Sequence, residues 1–474
     1  MSNNISVNKQ ASKMPDTSVS GIPVIMVFDA GKTNKKVLLF DQHYKVVYEE
    51  SQSLVETTDE DGFPCEDVHA LTQWVQDSFS RIMEDARFDV KAVNFSAYGA
   101  SFVYLDAAGN VMPPLYNYLK PLDKRLQDTF YQKYGGESLV AKQTASPVLG
   151  LLNSGLQIYR LKYERPEFYD KIQYALHLPQ YLSYILSHQV CTDITSIGCH
   201  TNLWDFQQNN YHRWVNEEGI LSILPAIVNG DALNGKVDDK VLVGTGLHDS
   251  SAALIPYFAA FSEPFMLLST GTWCISLNPF NHASLSDFEL SQDCLCYLSY
   301  KGKPVKASRL FAGYEHEQQA KRIAAHFNTV EDHYKTIQCD PSLISQFRKN
   351  TVLDHKVTEG MVQASAFGGR NLSDFKSYEE AYHQLILDIM TQQIRATQLV
   401  LNQTPVKRIF VDGGFSKNPI YMYLLAQAFP QIEVYAATVA QASSLGAALA
   451  IHQHWNALPL PSDCIELKYY AVQH

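Results

Sequence analysis

From residue 23 onward, short apolar runs alternate with helical stripes. Residues 24–28 form an apolar run ending in Asp-Ala-Gly-Lys-Thr-Asn, and 36–40 form a second. Two strands about a glycine-bearing turn predict a hairpin, with 46–51 able to pair next. Over 67–86, Val68, Leu71, Val75, Phe79, Ile82, Met83 and Ala86 recur at helical spacing behind an acidic first turn. Strands are predicted at 92–95 and 102–105, with a turn at Gly109. Residues 113–208 are Tyr-rich and mostly helical in character, with one helix near 181–186. Further strands follow at 241–243, 265–268, 274–277 and 408–411. Helices are predicted over 379–401, over 419–429 opened by Pro419, and over 443–455. Strands alternating with helices make this an α/β chain.

The segments 27–41 and 267–278 share one form: strand, Gly/Thr turn, strand. Their glycines, Gly31 and Gly271, lie about half a chain length apart, which suggests two similar halves. The length agrees: 474 residues correspond to two or three domains of about 150 residues. An apolar fraction of 46% with 18% charged residues describes a globular chain. The formal charge of -11, with no long basic run, argues against nucleic acid or an anionic membrane as partner. It does not exclude an anion bound locally by loops and helix ends. The eight cysteines are scattered, with Cys294 and Cys296 forming an isolated C-x-C, and read as reduced core thiols. Residues 1–21 are polar, lack an apolar signal region and read as a flexible tail; the apolar stretch 252–261 contains Pro256 and is too short to span a bilayer. A cytoplasmic protein is expected.

Gly, Thr and Ser in a hairpin turn can aim backbone N–H groups and hydroxyls at phosphate. Two such hairpins facing each other could clamp a triphosphate, with Asp29 holding Mg2+ directly or through water and Lys32, Thr33 and Lys36 balancing charge. The plainer reading of either hairpin alone is an ordinary turn. In Gly244–Ala253, Asp249 stands at a strand-to-helix junction, where it could act as a general base or merely as a helix N-cap. His248 beside it could equally be a packing residue. Asp412-Gly413-Gly414-Phe415-Ser416-Lys417-Asn418-Pro419 ends a strand and opens a helix, a place for a flat ligand or a phosphate. It is not G-x-G-x-x-G, and no P-loop motif occurs.

Taken in order, these motifs resemble those of the FGGY family of carbohydrate kinases, most nearly the rhamnulokinases and fuculokinases, over about residues 23–454. The resemblance implies a duplicated actin-like (ribonuclease H-like) ATPase fold with a nucleotide and sugar cleft between the halves, 22–254 and 255–474. It implies an ATP- and Mg2+-dependent kinase acting on a small sugar, such as rhamnulose, fuculose or xylulose, and allows a homodimer. On the resemblance, Asp29 lies near the metal, and Gly31, Lys32, Thr33, Asn34 and Lys36 form the first phosphate motif. Tyr98, Gly99, Ala100 and Ser101 form the sugar-side motif. Asp249 is the base with His248 beside the sugar. Thr270, Gly271 and Thr272 form the second phosphate motif, and Gly413, Gly414, Ser416 and Asn418 the adenosine motif, with Gln318 on the nucleotide side. Four residues depart from the family pattern: Lys32 replaces a small residue, and Ser101, Gln180 and Gln441 replace acidic ones. These departures motivate the alternative of a sugar- or nucleotide-sensing relative on the same fold.

Overall fold

The computed structural model describes residues 21–32, 34–348, 366–402, 404–439, 441–461 and 463–471. Thr33 and residues 1–20 of the expected tail 1–21 lie outside them. Each half of the chain is built on a seven-stranded sheet. In the first, Val46–Gln52, Lys35–Asp41, Ile22–Ala30, Phe88–Ala97 and Val241–Gly244 lie side by side. Ile22–Ala30 pairs antiparallel with Lys35–Asp41 and parallel with Phe88–Ala97. In the second, Pro304–Leu310, Cys274–Asn278, Phe265–Thr270, Arg408–Gly413 and Glu433–Thr438 repeat that succession with the same senses. The match thus extends from the two hairpins to five strands of each sheet.

Local chemistry accounts for the helices that cover these sheets. Asp67 caps Val68–Met83 by accepting from the backbone N–H groups of His69 and Ala70. Leu71, Val75, Phe79 and Ile82 then face the first sheet, joined by Trp74, while Met83 is exposed. Tyr378–Leu401 is opened by Ser377 and buries Tyr382, Leu385, Ile386 and Ile389 against the second sheet. The Tyr-rich region makes its own aromatic core, in which Phe130 lies about 5 Å from each of the rings of Tyr131, Tyr134, Tyr159 and Trp214.

One predicted helix is interrupted. The segment 443–455 divides into Ala442–Ala450 and His452–Trp455. The break at Ile451 lets His452 Nδ1 meet Tyr44 OH at 2.7 Å and Asn456 donate to the Gln42 carbonyl at 2.8 Å. After Asp249 the chain forms Asp249–Ala252 and then Ile255–Ala260, the second opened by Pro256, which has no N–H to continue a preceding helix.

The halves meet through small residues. A Cβ on Gly446 would lie 1.9 Å from the Ala252 carbonyl oxygen, so helix Ala442–Ala450 of the second half lies directly on Asp249–Ala252. Asn94, on the central strand of the first sheet, donates to the Ala447 carbonyl at 2.7 Å. One apolar core joins Ile25, Val27 and Phe40 of the first half to Leu267, Phe410 and Ala447 of the second.

Candidate active site

The strand ends of both sheets carry the candidate groups: Asp29 and His248 in the first, Thr270 and Gly413 in the second. Asp29 stands near the end of Ile22–Ala30. Its Oδ2 accepts from Ser443 Oγ at 2.9 Å and Ser444 Oγ at 2.8 Å, both from helix Ala442–Ala450. Burial raises the Asp29 carboxyl above its ordinary range and the charge of Asp249 raises it further, against the two serine hydroxyls and Lys36. Burial likewise pushes Asp249 up to about 6, although its side chain remains 36% exposed. Two carboxylates that each disfavour their own charge mark a place short of positive charge. A hard cation with oxygen ligands fits that donor set.

Asp249 is the first residue of its helix, and His248 holds the cap position. Its Oδ1 accepts from its immediate neighbour, Ser250 N at 2.5 Å and Ser250 Oγ at 3.2 Å. The N-cap alternative therefore does not describe it. His248 Nε2 lies 3.3 Å from Asp249 Oδ1 and 3.1 Å from Cys199 Sγ. Burial pushes this imidazole down to about 3, so it is neutral at ordinary pH. Its ring stacks on Tyr297 at 5.5 Å.

The sugar-side segment packs against the same histidine. A Cβ on Gly99 would fall 2.8 Å from His248 Cδ2, so glycine is what lets the backbone approach. Ala100 takes a left-handed φ of 62°, and Ser101 is buried. Gln180 Nε2 donates to the Gly246 carbonyl at 2.9 Å, anchoring the loop that carries His248 and Asp249. An ionised carboxylate could not donate there, which gives that departure a physical reason.

The first turn is closed by Gly31 N donating to Asn34 O at 3.0 Å. Its lysines are engaged by protein: Lys32 with Glu56 at 3.1 Å, and Lys36 with Gln441 Oε1 at 2.8 Å. The Gln441 departure thus joins the halves, accepting from Lys36 and donating to Glu49. In the second turn, Gly271 N donates to Trp273 O at 2.9 Å, and Thr272 O accepts from Tyr314 N at 3.1 Å. Thr270 Oγ1 donates to Asp412 O at 2.5 Å and accepts from Phe415 N at 3.0 Å. That hydroxyl joins the second turn to the Gly-Gly segment.

Beside the second turn lies a cavity of about 510 Å³ whose lining includes Thr270, Gly271, Gly414 and Asn418. Gly413 adjoins it with φ 89°, where a Cβ would lie 2.1 Å from Thr270 O. Ser416 Oγ donates to Gly413 O at 2.8 Å. Asn418 Oδ1 caps Pro419–Ala428, while its Nδ2 donates to Tyr382 OH at 2.8 Å, and that oxygen lies 2.8 Å from His316 Nε2. Gln318 is exposed and is not in the lining; His316, two positions earlier on the same helix, is.

Sequence reasoning did not single out His316, Tyr334, Gly313, Ser443 and Ser444 as site residues. One signal was available for Gly313. A Cβ there would lie 1.8 Å from Gly271 O, and a glycine opening a helix behind a strand marks such an approach.

The family model for the N-terminal domain of FGGY carbohydrate kinases matches residues 24–255, and that for the C-terminal domain of carbohydrate kinase FGGY matches 262–459. The chain belongs to the FGGY family of carbohydrate kinases. Members are phosphotransferases with an alcohol group as acceptor, and this FGGY kinase has their duplicated actin-like fold. Solved structures agree in fold. A carbohydrate kinase from Novosphingobium aromaticivorans is 22% identical, with a TM-score of 0.77 and 95% of each chain covered. A ligand-bound xylulose kinase from Lactobacillus acidophilus is 16% identical, with a TM-score of 0.76 over 95% of this chain and 94% of that one. A glycerol kinase from Plasmodium falciparum with ADP is 16% identical, with a TM-score of 0.69 over 91% and 90%. No curated protein matches the chain. Among the described residues, no helix is long and apolar enough to cross a membrane.

Proposed function

We propose that this FGGY kinase transfers the γ-phosphoryl group of ATP to a hydroxyl of a ketose or deoxy-ketose, with Asp249 as general base. The observation that carries the reading is the Asp249 carboxylate. It is raised to about 6, stands at the first position of its helix rather than at the cap, and lies close enough to Asp29 for their charges to interact. The acceptor O–H bond breaks and its proton passes to Asp249. The oxygen then attacks the γ-phosphorus in line, and the bond from that phosphorus to the bridging oxygen of ADP breaks. Phosphoryl transfer depends chiefly on positioning and electrostatics, which the two turns and Lys36 would supply. Mg2+ held by Asp29, directly or through water, would offset the phosphate charge. The sugar would lie among Tyr98, Gly99, Ala100, Ser101 and His248, and the adenosine in the cavity lined by Gly414 and Asn418.

The test is release of ADP across a panel of ketoses and polyols, including rhamnulose, fuculose and xylulose. Sugar-dependent release supports the reading, hydrolysis indifferent to sugar contradicts it, and absence of both favours the sensing relative. Asp249→Asn is expected to keep ATP binding and reduce turnover by about 10²–10⁴-fold. Turnover near wild type in that variant would remove Asp249 from the role of base.

A further inference from the structure

Beneath the first phosphate turn lies a charged network that the reaction as described does not use. Lys35 is 2% exposed and Glu66 4%. Lys35 Nζ pairs with Glu66 Oε1 and donates to the Gly31 carbonyl at 2.7 Å. The other carboxylate oxygen of Glu66 accepts from Tyr98 OH at 2.5 Å. Burial and the Glu66 carboxylate together hold the Tyr98 hydroxyl well above its ordinary value, so it remains a donor. One connected path therefore runs from a carbonyl of the phosphate turn to the first residue of the sugar-side segment.

Glu66 belongs to a small hairpin, Glu56–Thr58 with Pro64–Glu66, in which Glu56 and Glu66 are cross-strand partners. Glu56 takes Lys32 while Glu66 takes Lys35. Two neighbouring carboxylates thus hold two lysines of the turn. The Lys32 pair is half in water and holds weakly. The Lys35 pair is out of water, where a charge persists only when partnered. An apolar pair of similar volume would serve stability as well or better. What the ion pair adds is direction, because an ammonium draws the Gly31 carbonyl inward, and a carbonyl turned toward phosphate would repel it.

Resting on the kinase reading, we propose that Lys35 and Glu66 are positioning residues of the transfer site, which hold the Gly31 carbonyl off the phosphates and fix the turn relative to Tyr98 on the sugar side. The test is calorimetry on the full chain with two probes: β,γ-imido-ATP with Mg2+, and adenosine, which carries no phosphate. The variant Lys35→Met/Glu66→Gln removes both charges together, so no buried ion is orphaned. Its affinity for imido-ATP is expected to fall about tenfold, with adenosine affinity within about twofold of wild type. If that variant does not fold, Tyr98→Phe addresses the same path from its other end. It removes one hydroxyl and is expected to weaken imido-ATP about threefold, with adenosine unchanged. In a folded variant, equal loss for both probes, or loss for neither, overturns the proposal. Failure of the wild-type chain to bind imido-ATP overturns the kinase reading instead.

Discussion

Asp249 can serve as a base only when ionised, and its carboxyl is raised to about 6 by burial. The sign follows directly: the basic form is present above that value and is lost as pH falls through it. The pH profile of kcat/KM, which reports the free enzyme, is expected to show an acid limb of unit slope below about pH 6 and a plateau above. A limb at the ordinary carboxylate value near pH 4 would count against the assignment. His248 contributes no limb nearby, because burial holds it neutral down to about 3. Single residues were unevenly legible. Asp249 could be marked from its junction and motif. The hydroxyls of Ser443 and Ser444 on Asp29 could not, because they come from the far side of the chain and serine in a helix carries no signal of what it touches. The sequence marks Lys36 as a phosphate ligand, yet its partners are Glu49 and Gln441, the second a contact that exists only once the halves have met.

The elements themselves were legible wherever one face was apolar. The hairpins, the helix under Asp67 and the helix Tyr378–Leu401 follow from periodicity and caps. The interruption at Ile451 does not, because the bond between His452 and Tyr44 that accompanies it is tertiary. Packing between elements is most exacting where Ala442–Ala450 lies on Asp249–Ala252. There the Gly446→Ala methyl would meet the Ala252 carbonyl oxygen at 1.9 Å, and backbone must move to admit it. A loss of about 1–3 kcal/mol is expected from such overpacking, read by urea denaturation. Because the same contact carries Asp249 at its end, turnover should fall with it. A variant as stable and active as the wild type would show that the two helices are not held in this register.

At the scale of the molecule, the repeat visible at two turns proves to be a repeat of five strands in each sheet. The sequence shows only the turns because these alone retain similar residues, whereas core positions ask only for apolar volume. The halves share an apolar core that mixes Ile25 and Phe40 with Phe410 and Ala447. They are therefore expected to unfold together, as one calorimetric transition in the absence of ligands. Two well-separated transitions would contradict a common core. By the same argument, a fragment containing residues 22–254 alone would expose Ile25, Val27 and Phe40 and is expected to aggregate, as read by light scattering.

The serine hydroxyls on Asp29 also bear on when the site is finished. Ser443 lies 414 positions beyond Asp29. On a ribosome adding about 5–20 residues per second, that distance corresponds to roughly 20–80 s. Until that helix is made, the nascent N-terminal half carries Asp29 and its first turn but lacks the two hydroxyls that bond Asp29. On the proposed reading, catalytic competence is deferred to late in synthesis, and a partly made chain has no complete centre with which to consume ATP.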